Sequence, residues 1–267
     1  MKKTDILTPA GFVLGAVLIG YGIISGGPFS IFIDIPSIFI CVGGSLSALL
    51  ITYTMDEMKD MMGALGNAFK ENSVSQKDII SQFSSLSQRA RKDGLLSLEE
   101  EISNIGDDFF KKGMQMVIDG IEPETIKEIL ELEIYESENR AMNVAGMYTA
   151  WGGYAPGFGM IGTLIGLVQM MQNLNDIQSI AVGMGVALLT TFYGSFLANY
   201  FCNPIGANLK RQCAIESGIR AMMLEGILAI QSGVNPRIVE EKLLTYLSPK
   251  DRLEYINSNS ENTEGVA

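Results

Sequence analysis

Charge in this chain avoids four long apolar blocks, and that unevenness constrains the fold more than any average does. Between Arg140 and Lys210 the only charged residue is Asp176, and a polar stretch from Gln172-Asn173 to Asp176-Gln178 divides the region into two apolar segments. Two further blocks, Pro9 to Ser25 and Ile35 to Tyr53, carry no charge at all. Roughly 20 apolar residues in a helix cross a hydrocarbon core about 30 Å thick, and each block meets that length. The expected fold class is therefore all-α, a polytopic membrane protein with four transmembrane helices and a helical cytoplasmic domain. A cleaved secretory signal is the other reading of the first block. No small-x-small site leads from it into a soluble domain, however, and a second apolar block follows, so it is expected to stay as a permanent span.

Lysine and arginine fix the expected orientation, because short loops rich in them stay in the cytoplasm. The connection from Gly26 to Asp34 and the turn between the third and fourth spans have none, whereas Lys2, Lys3, the middle region and the tail from Lys210 onward hold them all. Both termini and the middle domain are thus expected in the cytoplasm. A net charge of −11 argues against nucleic acid as a partner and against a polybasic lipid anchor. Three cysteines, Cys41, Cys202 and Cys213, lack CxxC spacing, and histidine is absent. Zinc-type metal sites, histidine-based catalysis and bound cofactors are accordingly not expected.

The domain boundaries expected from composition are 1–54 for the first two spans, 55–140 for a cytoplasmic helical domain, 141–203 for the last two spans, 204–256 for tail helices and 257–267 for a disordered Ser/Asn/Glu-rich end. Within the middle domain, Ser75 begins a helix whose Ile79, Ile80, Phe83 and Leu86 share a face, and Gly94 ends it after Arg89, Arg91 and Lys92. Ser97 with Glu100 three residues on predicts a second start. A third lies at Glu122-Pro123, and its Ile126, Ile129, Leu130 and Ile134 run without a breaker toward the third span, which predicts one long rod. After Pro204, the spacing of Leu209, Cys213, Ile219, Met222, Met223, Ile227 and Ile230 predicts an amphipathic helix ending between Gly233 and Pro236.

Glycines recur four apart in the spans, at Gly11 and Gly15, Gly22 and Gly26, Gly153 and Gly157, and Gly162 and Gly166. Such small-xxx-small faces let helices approach closely, within one subunit or between subunits. A carboxylate inside the bilayer is the usual carrier of a transported ion. Here the spans contain none, since Asp34 stands at the outer edge of the second span and Asp176 in the outer turn. If the protein conducts ions, the titrating acid must come from a partner. Thr163 and Thr191 offer hydroxyls within the third and fourth spans, and Pro156 frees a backbone carbonyl. The plainer readings are a threonine bonded to its own helix and a fixed proline kink.

The stretch from Tyr154 to Val168 (YAPGFGMIGTLIGLV), with Ala187 to Gly194 (ALLTTFYG) and Ala198-Asn199, closely resembles the third and fourth spans of MotA/PomA flagellar stator subunits. The resemblance extends to Phe32 through Ser37, Val42 through Ser45, and Arg89 through Glu99, and so covers nearly the whole chain. It implies a stator subunit that, with a MotB-like single-span partner carrying the conducting aspartate and anchored to peptidoglycan, converts ion-motive force into torque. It also implies a ring of five such subunits around two partner chains, pushing on the rotor protein FliG. By position, Pro156 and Pro204 would couple ion passage to movement, Thr163 and Thr191 would line the ion path, and Asp34 would lie near ion entry. Arg91 and Glu99 would engage charged groups on the rotor, with Lys92 and Glu100 sharing the role. The plainer reading of Arg91 and Glu99 is that each favours its own helix dipole by about 0.3–1 kcal/mol.

An ExbB/TolQ-like motor, which energises outer-membrane processes, is the alternative. Four spans and the Arg91 to Glu99 segment favour the flagellar type. Hydroxyls serve sodium and proton paths alike, so both ions stay open. No intramembrane histidine, paired acids or nucleophile with a base points to an enzyme.

Overall fold

The computed structural model describes residues 7–68, 75–103, 105–172 and 174–264. No strand occurs among them. The elements in chain order are α1 (Leu7–Gly26), a 3-10 turn (Phe29–Phe32), α2 (Ile35–Ile38), a wide i→i+5 turn (Phe39–Gly43), α3 (Gly44–Thr52), α4 (Met55–Ala68), α5 (Gln76–Asp93), a 3-10 turn (Leu95–Leu98), α6 (Glu99–Ser103), α7 (Asp108–Ile118), α8 (Pro123–Gln172), α9 (Ile177–Phe196), a second wide turn (Leu197–Cys202), α10 (Asn203–Gln231), α11 (Pro236–Leu244) and α12 (Pro249–Glu264). Among the described residues, four helical stretches are long and apolar enough to cross a membrane: Leu7–Gly26, Phe29–Thr52, Pro123–Gln172 and Ile177–Gln231. The chain divides into two compact units, Met1–Asn72 with Arg140–Gln212 and Ser73–Asn139 with Cys213–Ala267.

In the first unit, α1 has no buried residue and presents Val13, Leu14, Val17 and Leu18 outward, a surface suited to lipid rather than water. The unit's core gathers Leu49, Met61, Met147, Tyr148 and Ile205. The sequence places α4 in the middle domain, but the structure assigns it here. Thr54 and Glu57 cap its start reciprocally, with Thr54 N–H donating to Glu57 Oε2 at 2.8 Å and Glu57 N–H to Thr54 Oγ1 at 3.4 Å. Its far end is held by α10, where Asn208 Nδ2 and Gln212 Nε2 both donate to Ala68 O, at 2.8 and 3.3 Å. Tyr148 Oη donates to Met61 O at 2.8 Å between them. The expected boundary at 55 therefore moves to 73.

The boundary expected at 204 moves as well, because the fourth span and the tail helix are continuous from Ile177 to Gln231. Proline cannot donate to the residue four before it, and a wide turn immediately ahead of Pro204 absorbs that gap without a break.

The second unit is a helical cluster around Ile80, Phe83, Leu98, Ile102, Met114, Ile126, Leu130, Met222, Ile227 and Leu243. Ser75 caps α5 by accepting from Asp78 N–H, and Gly94 ends it at φ 85°, a left-handed angle that favours glycine. The long helix expected from Glu122-Pro123 into the third span is present as α8. Ser97 does not cap a helix as expected. It lies inside the 3-10 turn, where its hydroxyl donates to Gly94 O at 2.6 Å, and α6 begins only at Glu99. Sequence reasoning also missed α7, which Asp107 caps by accepting from Phe110 N–H at 2.9 Å. Disorder is expected from Asn257, and the structure describes α12 as a helix through Glu264. Ser248 caps α12, and buried Tyr255 ties the helix to the core, so it continues past the point where its composition turns polar. Residues 265–267 lie outside the described residues.

Two predictions follow from this packing. A Cβ on Gly226 would sit 2.6 Å from the ring of Phe83, which is fully buried and stacked on Phe110 at 4.3 Å. Gly226→Val should overpack the cluster by about 1–3 kcal/mol, seen as a lower Tm in detergent. Separately, Lys77 Nζ lies 2.7 Å from Glu254 and 3.7 Å from Asp251, joining α5 to α12. The lysine's hydrogen bond holds the Glu254 carboxyl below its ordinary value, and Ser248 first and Lys77 second do the same for Asp251. A lowered folded-state value stabilises above the unfolded value and is lost as pH falls through the folded one. Hydrogen exchange of α12, corrected for intrinsic rates, should therefore accelerate below pH ~4. Lys77→Met should produce that loosening already at neutral pH.

Candidate functional site

The third and fourth spans approach each other through glycine. A Cβ on Gly159 would lie 2.9 Å from Thr190 O, one on Gly166 2.5 Å from Gly183 O, and one on Gly194 2.7 Å from Ala155 O. Those neighbours are backbone atoms that cannot swing away, so only hydrogen fits at these positions. Gly162 packs on the side chain of Thr190 in the same seam. The pair Gly162 and Gly166 therefore joins helices of one chain, whereas Gly153 and Gly157 meet no atom of their own chain within 4 Å.

This approach brings Thr163 and Thr191 together, with their Oγ1 atoms 2.5 Å apart. Thr163 Oγ1 is also 3.1 Å from Gly159 O and 3.0 Å from Ala187 O, and Thr191 Oγ1 is 3.2 Å from Ala187 O. Each hydroxyl has one hydrogen. One is shared within the pair and the other goes to a carbonyl, which leaves oxygen lone pairs available to a cation or a proton relay.

Pro156 is exposed on α8, and Pro204 is exposed at the start of α10. Their neighbourhoods meet, because Asn203 and Cys202 pack directly on Gly152, one turn before Pro156. Cys41 Sγ donates to Ala155 O at 3.6 Å, which ties the second span to the same place.

Asp34 opens α2 as its cap, accepting from Ser37 N–H at 3.0 Å and from the Ser37 hydroxyl. The sequence puts it at an outer edge, but that edge lies beside the middle of the neighbouring span. Asp34 N–H donates to Tyr193 Oη at 3.0 Å, and that hydroxyl donates to Phe32 O at 2.6 Å. Tyr193 stands about 24 Å along α9 from its start at Ile177, at a rise of 1.5 Å per residue. Asp34 is thus linked to a residue two positions from Thr191. Asp176, by contrast, caps α9 in the outer turn, where Ser179 and then Gln178 hold its carboxyl below the ordinary value. Nothing in the sequence pattern singled out Tyr193, since its two partners lie about 160 residues away.

In the second unit, Arg91 and Lys92 occupy the last turn of α5 and Glu99 and Glu100 the first turn of α6, all exposed around the Gly94 turn. Arg89 pairs with Glu101 beside them. Among the described residues Arg91, Lys92 and Glu99 have no ion-pair partner. Arg91 borders a cavity of about 150 Å³ with Leu95, Ile230 and Val234, so part of its side chain rests on apolar surface near its charged end.

Residues 10–94 match the profile of the motility protein A N-terminal region, and residues 101–222 match that of the MotA/TolQ/ExbB proton channel family. Motility protein A of Borreliella burgdorferi is 43% identical over 91% of this chain and 93% of its own length. The chain belongs to the MotA/TolQ/ExbB proton channel family. Within it, the relatives include YtxD of Bacillus subtilis, 44% identical over 94% of this chain and 93% of that protein. The flagellar MotAB stator complex of Bacillus subtilis contains a chain of the same fold, with TM-score 0.86, 32% identity, and coverage of 93% and 98%. This family member is accordingly a membrane protein.

The glycine seam yields a direct test. In a chain with Cys41, Cys202 and Cys213 replaced, Thr163→Cys with Thr191→Cys should form a disulfide on mild oxidation. Adding Gly194→Val, which overpacks the seam by about 1–3 kcal/mol, should cut the crosslink yield roughly tenfold on a non-reducing gel.

Proposed function

We propose that this chain is the multi-pass subunit of a flagellar stator, converting ion-motive force into torque together with a single-span, acid-bearing partner of the MotB kind. The observation that carries the reading is the outward face of α8. Gly153, Pro156, Gly157 and Met160 lie there at helical spacing, exposed, with open space beside both glycines. Small residues facing outward from a membrane-length helix suit close contact with another helix. The hydroxyl pair beside them lacks an acid of its own, which suits a partner that brings one. The relatives named motility protein A and the likeness to a MotAB complex support the same conclusion.

In this reading both termini and residues 73–139 face the cytoplasm of the inner membrane, and five copies surround two partner chains. Thr163 and Thr191 line the ion path, Pro156 and Pro204 couple ion passage to movement, and Asp34 lies near entry. Arg91, Lys92, Glu99 and Glu100 meet the rotor protein FliG. Exposed charges of this kind tune recognition and on-rate more than affinity, which suits a contact made and broken repeatedly.

Expressed with its partner in a motile host lacking its own stator but carrying a matched rotor, the chain should restore swimming. Arg91→Glu and Glu99→Lys should lower torque without abolishing it, since exposed pairs contribute about 0.2–1 kcal/mol each. Pro156→Leu should abolish rotation at normal membrane abundance. A pair that assembles yet never drives a matched rotor would favour the ExbB/TolQ type of motor.

A further inference from the structure

The first span is fastened to the fourth at two places and stands away from it between them. Tyr200 lies against Gly15, where a Cβ would sit 2.5 Å from its ring, and its hydroxyl donates to Phe12 O. Nearer the start of α1, Asn208 Nδ2 donates to Thr8 Oγ1 at 3.4 Å. Gly11 falls between these contacts on the same face, since residues three and four apart in a helix are neighbours. A Cβ there would meet no atom within 4 Å. Packed helices ordinarily leave no void larger than a water molecule, but here the missing side chain borders a cavity of about 270 Å³.

The cavity opens on the side of the membrane unit. Ala68 and Ile205 at its floor are buried, whereas Leu7, Gly11, Asn199 and Pro204 at its rim are exposed. Phe12 and Tyr200, edge to face at 5.4 Å, line one wall. Most of the lining is hydrocarbon, and cavities of that kind stay dry and take apolar molecules. Its depth in the membrane follows from the contact between Thr8 and Asn208. Leu7 begins the first span, and that contact sets it level with the part of α10 where charge returns, since Lys210 and Arg211 are the first charged residues after Asp176. Arg211 Nη2 donates to Asn208 Oδ1 at 3.0 Å, which brings the guanidinium to this end of the cavity. Tyr200 precedes Asn208 by eight residues and so lies about 12 Å deeper. The cavity therefore runs from the edge of the apolar region inward, with cations at its shallow end and aromatic and aliphatic groups within.

We propose that this cavity binds an anionic phospholipid, with one acyl chain seated over Gly11 against Phe12 and Tyr200 and the headgroup phosphate facing Lys210 and Arg211. Basic pockets between membrane helices recognise anionic headgroups, and long cationic side chains near a span's end reach toward the headgroup level. The bound chain braces α1, which has no buried residue of its own, against the rest of the unit. That the lipid belongs to the cytoplasmic leaflet rests on the stator reading, whereas the binding itself does not.

The test uses the complex of this chain with its partner, in phosphatidylcholine vesicles holding a trace of phosphatidylglycerol with a photoreactive diazirine on its acyl chain. After illumination, mass spectrometry should place crosslinks in the peptides that carry residues 7–12 and 199–208. Gly11→Leu, whose side chain fills the cavity, should lower that crosslinking roughly tenfold. Gly22→Leu, at another open glycine of α1, should leave it unchanged. Unlabelled phosphatidylglycerol should compete roughly tenfold better than phosphatidylcholine, and Lys210→Gln with Arg211→Gln should remove that preference. Equal crosslinking in Gly11→Leu and wild type, at equal abundance of the complex, would overturn the proposal. Equal competition by the two lipids against wild type would also overturn it, and that readout stands even if the leucine variant fails to assemble. Crosslinks missing from both peptides would mean that a second copy or the partner covers the opening, and would overturn it too. A complex that binds the lipid but never turns a matched rotor would uphold the site and count against the stator reading alone.

Discussion

Backbone-to-backbone contact between the third and fourth spans is the constraint on which the membrane unit depends. In lipid there is little hydrophobic drive to bring two apolar helices together, so packing and short-range polar contacts must do it. Gly159, Gly166 and Gly194 remove the side chains that would hold the helices apart, and the missing Cβ atoms are each replaced by a carbonyl of the facing helix. Everything else at the site inherits its position from that seam. The two threonine hydroxyls meet because their helices are close, and Asn203 reaches Gly152 for the same reason. The seam also restricts which faces remain open, leaving Gly153, Pro156 and Gly157 outward along with Thr191.

The second unit follows a different logic. Its core is an ordinary aliphatic and aromatic cluster, with Phe83 stacked on Phe110 and Ile80 and Ile126 fully enclosed. That cluster fixes the two helix ends flanking Gly94 and leaves their charges outside. Arg91 and Lys92 stand at a helix C-terminus and Glu99 and Glu100 at an N-terminus, the arrangement that each dipole favours. Charge placement that stabilises the helices is therefore compatible with charge display toward a partner, because the same residues are exposed.

Much of this was legible in the sequence, and the exceptions have physical causes. The spans, the cap at Ser75, the stop at Gly94 and the long helix from Pro123 could be read because apolar period and terminal residues act locally. Ser97 misled because a serine followed three residues later by glutamate describes a cap only where the backbone between them is helical, and here a 3-10 turn intervenes. Pro204 misled because a proline ends a helix only if nothing nearby takes up its missing hydrogen bond, and a wide turn cannot be seen in composition. The assignment of α4 depended on contacts with Tyr148, Asn208 and Gln212, remote in sequence. Among the site residues, the pairing of Thr163 with Thr191 was approachable from their shared position in adjacent spans. The attachment of Asp34 to Tyr193 was not, because no local pattern encodes a hydrogen bond across about 160 residues.

That attachment makes the loop before the second span something other than a passive connector. Tyr193 holds Phe32 and Asp34 with a single hydroxyl used in both directions, while the rings of Phe32 and Phe192 meet edge to face at 5.7 Å. A rotation of the fourth span about its axis would therefore drag the 28–34 segment with it or break both hydrogen bonds at once. The carboxylate at Asp34 is in effect a pointer mounted on that span, and its bearing reports the angle of the helix that carries Thr191.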